Sequence, residues 1–421
     1  MMIVVAAVLV RFVILFWFHE PGNSIYSDMG IYDAQARRIL ADNLSPHDTL
    51  YPIGYPAFLA IIYALTGGST LAVGVVQAVA GAMTCALTYP VARRFSLPRR
   101  WALCACALVA LYPPFIYYGT FLLTEALSPV LFTGLIAAAL WAYQRGSWGS
   151  TALVGMLFAA SCVVRPNLLP LLAFLCLGAW VSSGRRTVTA TAFALRILFT
   201  ATPLIAVVVV LNSQLAGRFA GLSTNGGVNF FLMQSDYRGV LYYETGVIPV
   251  RNLNLYRVYY DASAPLYEEG YYYREGWKAI RAGPMRALAR APDHLREGWG
   301  LGEQGYWPAR PVAVPSAAPL EWRILRACAT GFFWLFILPA TMMSAWLVLR
   351  GEWLRPVNAG WTLVAGSIVT LSFTFLVFLA DPRVHVPFDA LFIVATLAVV
   401  NRLVCASAGD LVATRVPALR D

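Results

Sequence analysis

Five ionisable side chains border long apolar stretches, and their types can support acid–base and phosphate chemistry. A charge near bilayer depth is costly, so each one is a functional candidate. Two carboxylates can divide acid–base work or hold a divalent cation such as Mg²⁺, Mn²⁺ or Zn²⁺, and a guanidinium group binds phosphate through two parallel hydrogen bonds. The residues are Asp28, Glu125, Arg165, Arg383 and His385.

Each of these residues also has a structural interpretation. Asp28 and Glu125 both open a predicted helix, where a carboxylate stabilises the helix dipole without taking part in chemistry. Arg165 and Arg383 can extend along apolar surface to reach an interface, and a lone histidine such as His385 is often an interface residue. The residues by themselves leave both interpretations open.

The elements that position these residues are membrane helices, because the composition excludes an ordinary soluble protein. Of 421 residues, 59% are hydrophobic and 12% are charged, and the mean hydropathy is +0.65. Soluble domains carry about 25% charged residues. The apolar stretches predict an all-α polytopic membrane protein with about ten transmembrane helices, juxtamembrane helices and a small extracytoplasmic α or α+β segment. The predicted spans are 3–18, 71–92, 101–118, 122–143, 150–164, 168–182, 187–211, 327–348, 358–380 and 386–404.

Two apolar stretches do not fit a single span. Ser147–Val181 is too long for one helix, and Arg165-Pro166-Asn167 interrupts it, which predicts two short helices joined by a turn. Tyr51–Leu65 is too short and carries two prolines near its start, which predicts a re-entrant or interfacial helix.

The arginines predict the orientation of the chain. The net charge is +10, and the basic residues are all arginine except Lys278. With the N-terminus inside, the basic connections fall on the cytoplasmic side, so the first loop (19–70) and segment 213–326 face outside the cytoplasmic (inner) membrane. Scattered basic residues of this kind do not indicate a nucleic-acid surface. The orienting arginines are Arg93, Arg94, Arg99, Arg100, Arg145, Arg185, Arg186, Arg350, Arg355, Arg402, Arg415 and Arg420.

These spans predict four regions. They are a transmembrane catalytic module (1–212), an extracytoplasmic segment (213–326), C-terminal membrane helices (327–404) and a cytoplasmic tail (405–421). Apolar residues at helical spacing in Glu268–Trp299 predict amphipathic helices against the membrane, preceded by a β-like or irregular stretch at 223–250. The seven cysteines form no CxxC pair and are interpreted as small buried hydrophobic residues.

The order of several short motifs resembles the integral-membrane glycosyltransferases of the C fold type. Within that class the sequence is similar to the bacterial branch related to protein O-mannosyltransferases and the lipid A aminoarabinose transferase. The resemblance covers about residues 1–405. It depends on Asp28 with Tyr32, Tyr51–Pro56, Ala92–Phe95, Tyr112–Tyr118, Leu123–Glu125, Val164–Asn167, Leu222–Phe231 and Arg383–Phe388.

The resemblance implies an enzyme that transfers a sugar from a polyprenyl-phosphate donor to a lipid, glycan or protein acceptor outside the membrane. It implies that Asp28 is the catalytic base or a ligand of a divalent cation, and that Glu125 is the second acidic position. In this sequence Glu125 is followed by Ala-Leu, whereas many members carry aspartate followed by Met-Pro. Arg165 and Arg383 match basic positions that hold the donor phosphate.

Three further residues are predicted to bind substrate, namely Tyr32, Tyr55 and His385. The family also implies a single displacement that inverts the anomeric centre. Two alternatives remain open at this point. A transporter or flippase of lipid-linked saccharides would place its charges near mid-bilayer, and a polymerase or ligase of lipid-linked saccharides would use the same kind of donor.

Overall fold

The computed structural model of the protein describes residues 1–23, 25, 28–235, 264–301, 320–351 and 359–413. Within these ranges the chain is mostly helical and no strand occurs. Seven described helices are long and apolar enough to cross a membrane, or eight if the bent pair Arg99–Ala110 and Pro113–Thr120 forms one span. The predicted class, an all-α polytopic membrane protein, is confirmed.

The first half of the chain follows the predicted apolar stretches closely. A π-helical turn, Ile14–Phe18, continues the first helix. The side chain of Ser69 accepts a hydrogen bond from the Ala72 amide and so caps the fourth helix. The helices are α1 Met2–Val13, α2 Asp28–Leu40, α3 Gly54–Thr66, α4 Thr70–Arg94, α5 Arg99–Ala110, α6 Pro113–Tyr117, α7 Thr124–Arg145, α8 Trp148–Val164, α9 Leu171–Ser182, α10 Thr187–Ala216 and α11 Asn225–Gln234.

The second half contains the two predicted amphipathic helices and the last membrane helices. The final helix continues to Ala413, so the predicted tail (405–421) begins as helix. A short 3₁₀ helix, Pro382–Phe388, leads directly into that helix. The helices are α12 Glu269–Ala282, α13 Pro284–Gly298, α14 Leu320–Phe332, α15 Leu338–Leu349, α16 Ala359–Val377 and α17 Asp389–Ala413.

The β-like interpretation of 223–250 is wrong where the structure describes it. Residues 225–234 form the helix α11, which packs against α12. Val228 and Leu232 on α11 form a small buried cluster with Tyr272 on α12. This tertiary packing outweighs the weak helix propensity of a sequence that starts Asn-Gly-Gly. The remainder of the stretch, 236–250, lies outside the described residues.

The two apolar stretches that did not fit a single span both form short helices. The helices α8 and α9 are separated by Arg165 and the 3₁₀ helix Pro166–Leu168, and both are shorter than the seven long helices. The helix α3 has 13 residues, too few to cross a membrane alone. It packs against α2, α4 and α8. The predicted stretch Tyr51–Leu65 therefore supports the first loop.

A break between α5 and α6 gives the bundle an internal kink. The two segments bend by 54° around Leu111 and Tyr112. Pro114 has no amide hydrogen for the carbonyl of Ala110, so that carbonyl loses its normal helical donor. The buried side chain of Arg11 on α1 fills the gap, because its Nη1 donates to the Ala110 oxygen at 3.2 Å and to the Ala7 oxygen at 3.0 Å.

The elements that carry the predicted site residues meet at one end of this bundle. The helix α7 packs against α4, α8 and the turn Pro382–Phe388. The first loop reaches the same place, because α2 packs on α3 and α3 packs on α8.

Candidate active site

Asp28 faces an arginine from the far end of the chain. It occupies the first turn of α2, as predicted. One carboxylate oxygen, Oδ2, lies 3.4 Å from Nη1 of Arg383. The other, Oδ1, accepts a hydrogen bond from the Tyr51 hydroxyl at 3.3 Å. The Arg383 guanidinium also contacts Asp381, with Nε 3.1 Å from Oδ2. Two predicted residues 355 positions apart are thus in direct contact.

Glu125 and Arg165 form the second pair. Their side chains lie 2.7 Å apart, from Glu125 Oε1 to Arg165 Nη2, and both residues are buried. Thr124 bridges them: its hydroxyl accepts a hydrogen bond from Arg165 and donates one to Glu125 Oε2. Arg165 has an extended backbone because Pro166 follows it, and this conformation ends α8 and turns the side chain towards the start of α7.

The two pairs form one electrostatic group. Partial removal from water raises the pKa of Asp28, the charge of Arg383 lowers it, and the charges of Glu125 and Asp381 raise it again. The net shift is upward. A raised pKa makes a carboxylate a stronger proton acceptor, which is the property that a general base requires.

The predicted tyrosines line the first loop in different ways. Tyr32 lies one turn after Asp28, and burial together with the charges of Asp28 and Glu125 raises its pKa well above the ordinary value. Its ring packs edge-on against Tyr51 and Tyr55. Tyr55 is fully buried, and its hydroxyl donates to Oε1 of Gln77 at 2.6 Å. Its contacts support the loop, so a role in binding substrate stays a prediction.

His385 pairs with a carboxylate at the start of the last helix. It is fully buried, and its Nδ1 lies 2.8 Å from Oδ1 of Asp389. Its ring is nearly parallel to Trp299, with 6.3 Å between the ring centres. The structure therefore brings together Asp28 with Arg383 and Glu125 with Arg165, while His385 pairs with Asp389.

Three residues that contact the predicted site residues or support them were not predicted from the sequence. Tyr51 belongs to the YPIGYP motif but was not singled out, although it contacts Asp28 directly. Asp389 is an acidic residue at the start of a membrane helix. The free-energy cost of a charge at such a position was enough to mark it as a functional candidate. Tyr112, whose hydroxyl donates to Asp389, belongs to the motif Tyr112–Tyr118 but was not singled out, because a tyrosine beside apolar residues is common.

The described side chains do not form a ready site for the predicted divalent cation. Among the described residues, no group of three or more His, Cys, Asp or Glu side chains could hold a metal ion. Asp28 and Glu125 each contact a guanidinium group, so a cation would have to compete with an arginine at each carboxylate. These side chains do not fit a preformed metal site, and we derive no catalytic step through a metal.

Comparison with solved structures shows a shared fold. The chain matches the oligosaccharyltransferase AglB from Archaeoglobus fulgidus in complex with an inhibitory peptide and a dolichol-phosphate. The TM-score is 0.52 and the identity 14%, over 100% of this chain and 52% of that chain. The apo form of the A. fulgidus oligosaccharyltransferase matches with a TM-score of 0.54 and 15% identity, over 100% and 52% of the two chains.

A third structure is the A. fulgidus oligosaccharyltransferase in complex with Zn and sulfate. It matches with a TM-score of 0.51 and 15% identity, over 98% of this chain and 51% of that chain. The chain thus spans about half the length of the oligosaccharyltransferases it matches. No family model matches the sequence, and the search of curated proteins found no match. At these identities the comparison shows the C-type glycosyltransferase fold that the motifs predicted.

Proposed function

We propose that the protein is a membrane glycosyltransferase that uses a polyprenyl-phosphate sugar donor. Its acceptor is a glycolipid, a glycan or a protein hydroxyl on the outer face of the cytoplasmic membrane. The observation that carries the proposal is the meeting of two carboxylates and two guanidinium groups where the first loop joins the bundle. The shared fold supports it, because one matched oligosaccharyltransferase structure contains a dolichol-phosphate.

The reaction uses these groups as follows. The acceptor hydroxyl oxygen attacks the anomeric carbon, the bond from that carbon to the phosphate oxygen breaks, and Asp28 accepts the hydroxyl proton. The departing lipid phosphate gains negative charge, which Arg383 and Arg165 stabilise. A single displacement of this kind inverts the anomeric centre. Glu125 holds Arg165 in place until the phosphate arrives.

A donor panel tests the proposal directly. Purified protein in liposomes is incubated with labelled polyprenyl-phosphate sugars and membrane extracts, and both labelled acceptor and released polyprenyl phosphate are measured. We expect Asp28→Asn to lower transfer by on the order of 10²–10⁴-fold, the usual contribution of a general base. A folded Asp28→Asn protein with full transfer would refute the catalytic assignment.

Asp42→Asn is the matched control for this assay. Asp42 is an exposed carboxylate in the same loop, with a positive φ of 49° that asparagine tolerates well. We expect it to keep normal transfer. Movement of labelled donor across the bilayer without a transfer product would instead indicate a flippase. Chelation followed by addition of Mg²⁺, Mn²⁺ or Zn²⁺ tests whether a divalent cation takes part.

A further inference from the structure

A buried carboxylate connects the last helix to the break between α5 and α6. The Tyr112 hydroxyl donates a hydrogen bond to Oδ2 of Asp389, with 2.7 Å between the oxygens. The other carboxylate oxygen, Oδ1, lies 2.8 Å from Nδ1 of His385. All three residues are fully buried. A buried carboxylate is costly unless its oxygens are satisfied. In this cluster both oxygens have partners, and the partners belong to different elements.

The 3₁₀ helix Pro382–Phe388 needs support of this kind. It is short, and Pro382 and Pro387 lack amide hydrogens, so it forms few backbone hydrogen bonds of its own. At its start, the Asp381 side chain accepts a hydrogen bond from the Arg383 amide at 2.8 Å. In the middle of this short helix, His385 is held by Asp389, the residue that follows the helix. The side chain that projects from this turn towards Asp28 is Arg383.

Aromatic packing holds the same histidine from outside the cluster. The rings of Trp299 and Phe333 contact His385, with ring centres 6.3 Å and 5.9 Å away. They shield the Asp389–His385 contact from water, which strengthens it. Polar contacts and aromatic packing together thus fix the position of the helix Pro382–Phe388.

We propose that Asp389 is a positioning residue that sets Arg383 opposite Asp28. It acts through His385, which belongs to the same short turn as Arg383, and through Tyr112, which anchors the carboxylate to the break of the kinked span. The expected effect on sugar transfer rests on the proposed function, whereas the effect on the placement of Arg383 does not.

Two replacements of His385 separate positioning from other roles. His385→Asn keeps an amide nitrogen near the position of Nδ1, and this nitrogen can still bond Asp389. His385→Gln places its amide nearer the position of Nε2 and loses that bond. We expect kcat to fall on the order of 10- to 100-fold for His385→Gln, the effect of a misplaced catalytic group. His385→Asn should stay within a few-fold of the parent. Equal losses in the two variants would contradict a positioning role.

Two further pairs of variants test the carboxylate itself. Asp389→Asn keeps the shape and two possible hydrogen bonds, so we expect it to retain most of the kcat that Asp389→Ala loses. Tyr112→Phe removes one partner of Asp389 and should also lower kcat. Its control is Tyr143→Phe, which removes a tyrosine hydroxyl that donates to the Leu175 carbonyl at 2.8 Å, away from the site.

Chemical cross-linking gives a readout that does not depend on activity. Asp28→Cys and Arg383→Cys are combined after replacement of the exposed Cys104, Cys328 and Cys405, and the new thiols are joined with bifunctional thiol reagents of graded length. We expect Asp389→Ala to slow cross-linking several-fold or to change the preferred length, and Tyr143→Phe to have no effect.

The two readouts distinguish two kinds of failure. Unchanged cross-linking in Asp389→Ala would overturn the positioning role, whatever the activity. If the parent protein transfers no sugar but Asp389→Ala still alters cross-linking, the proposed function fails and the positioning role stands.

Discussion

The charge of Glu125 raises the pKa of Asp28, and this makes the pH dependence of transfer predictable. The pKa of Asp28 is raised, and transfer needs its deprotonated form, so activity falls as the pH drops through that raised pKa. Removing the positive charge in Arg383→Gln raises the pKa further and moves the acid limb of kcat/KM to higher pH. Removing the negative charge in Glu125→Gln moves that limb to lower pH. Profiles that shift in the same direction in both variants would contradict the assignment of the limb to Asp28.

The pairing of Glu125 with Arg165 makes a second prediction. Glu125→Gln leaves a buried guanidinium without its carboxylate, which costs about 3–5 kcal/mol. The double change Glu125→Gln with Arg165→Gln removes both charges and should recover much of the thermal stability in detergent. It should not recover transfer, because the phosphate then lacks Arg165. Normal transfer by the double variant would exclude Arg165 as a phosphate ligand.

The residues of the site could be predicted by the rule that a charged side chain beside a membrane-spanning stretch is rare and therefore a functional candidate. This rule found Asp28, Glu125, Arg165 and Arg383, and the structure places them as two contacting pairs. It could not find which carboxylate contacts which arginine, because those contacts depend on how distant helices pack. His385 was found as a residue, but its contact with Asp389 was not foreseen.

At the scale of elements, Gly54 allows the first loop to approach the bundle. A Cβ added at this position would lie 2.7 Å from the carbonyl carbon and oxygen of Val163, and a backbone cannot easily move aside. We therefore expect Gly54→Ala to destabilise the protein by about 1–3 kcal/mol, as overpacking does, and to lower transfer by moving Tyr51 away from Asp28. Thermal unfolding in detergent and the transfer assay measure the two effects.

Gly149→Ala is the control for that prediction. Gly149 lies in α8, and a Cβ there meets no atom within 4 Å. We expect unchanged or slightly higher stability, because alanine has the higher helix propensity. If Gly54→Ala unfolds at the same temperature as Gly149→Ala, the close approach of α3 and α8 is not required.

Arg11 donates a hydrogen bond to the Ala110 carbonyl at the break between α5 and α6. We expect its replacement to lower sugar transfer without changing thermal stability. Its Nε and Nη2 are buried without a hydrogen-bond partner among the residues that the structure describes, so its burial is costly. Arg11→Met removes that cost together with the bond to Ala110, and we expect little net change in thermal unfolding. Transfer should fall on the order of tenfold, because Tyr112 at the break is no longer fixed.

Arg196→Met is the matched control. Arg196 also donates to a backbone carbonyl, that of Gly146 at 3.0 Å, but it does so in an exposed position. We expect normal transfer. Gly81→Ala provides a second test of the break, because its Cβ would lie 2.5 Å from Nε of Arg11 and would displace that side chain. Full transfer in both Arg11→Met and Gly81→Ala would refute this role.

The elements were predictable where a single physical signal dominates. Apolar length identified the membrane helices, a proline separated α8 from α9, and the periodic apolar residues of 268–299 identified α12 and α13. The helix α11 was missed because its sequence has weak helix propensity and it forms against α12. The kink between α5 and α6 lay inside one predicted span (101–118), since apolar length carries no information on bending.

At the scale of the whole molecule, the first loop and the last helix form the site together. Asp28 and Arg383 come from opposite ends of the chain, so the site is complete only after the last membrane helix has packed. The order of the short motifs predicted the C-type fold through the resemblance it carries, and the matched solved structures share that fold. Neither reveals the sugar or the acceptor, because the shape of the pocket depends on contacts between loops.

The same architecture carries only one lysine, and this offers a test of sidedness on the unaltered protein. Lys278 projects from α12 with 70% of its side chain exposed, beside Glu275. Its amine is therefore the only lysine target for an acylating reagent. In intact cells with a permeable outer layer, a membrane-impermeant reagent should modify the peptide that contains Lys278, as read by mass spectrometry. Modification only in inverted vesicles would place α12 in the cytoplasm and reverse the predicted orientation.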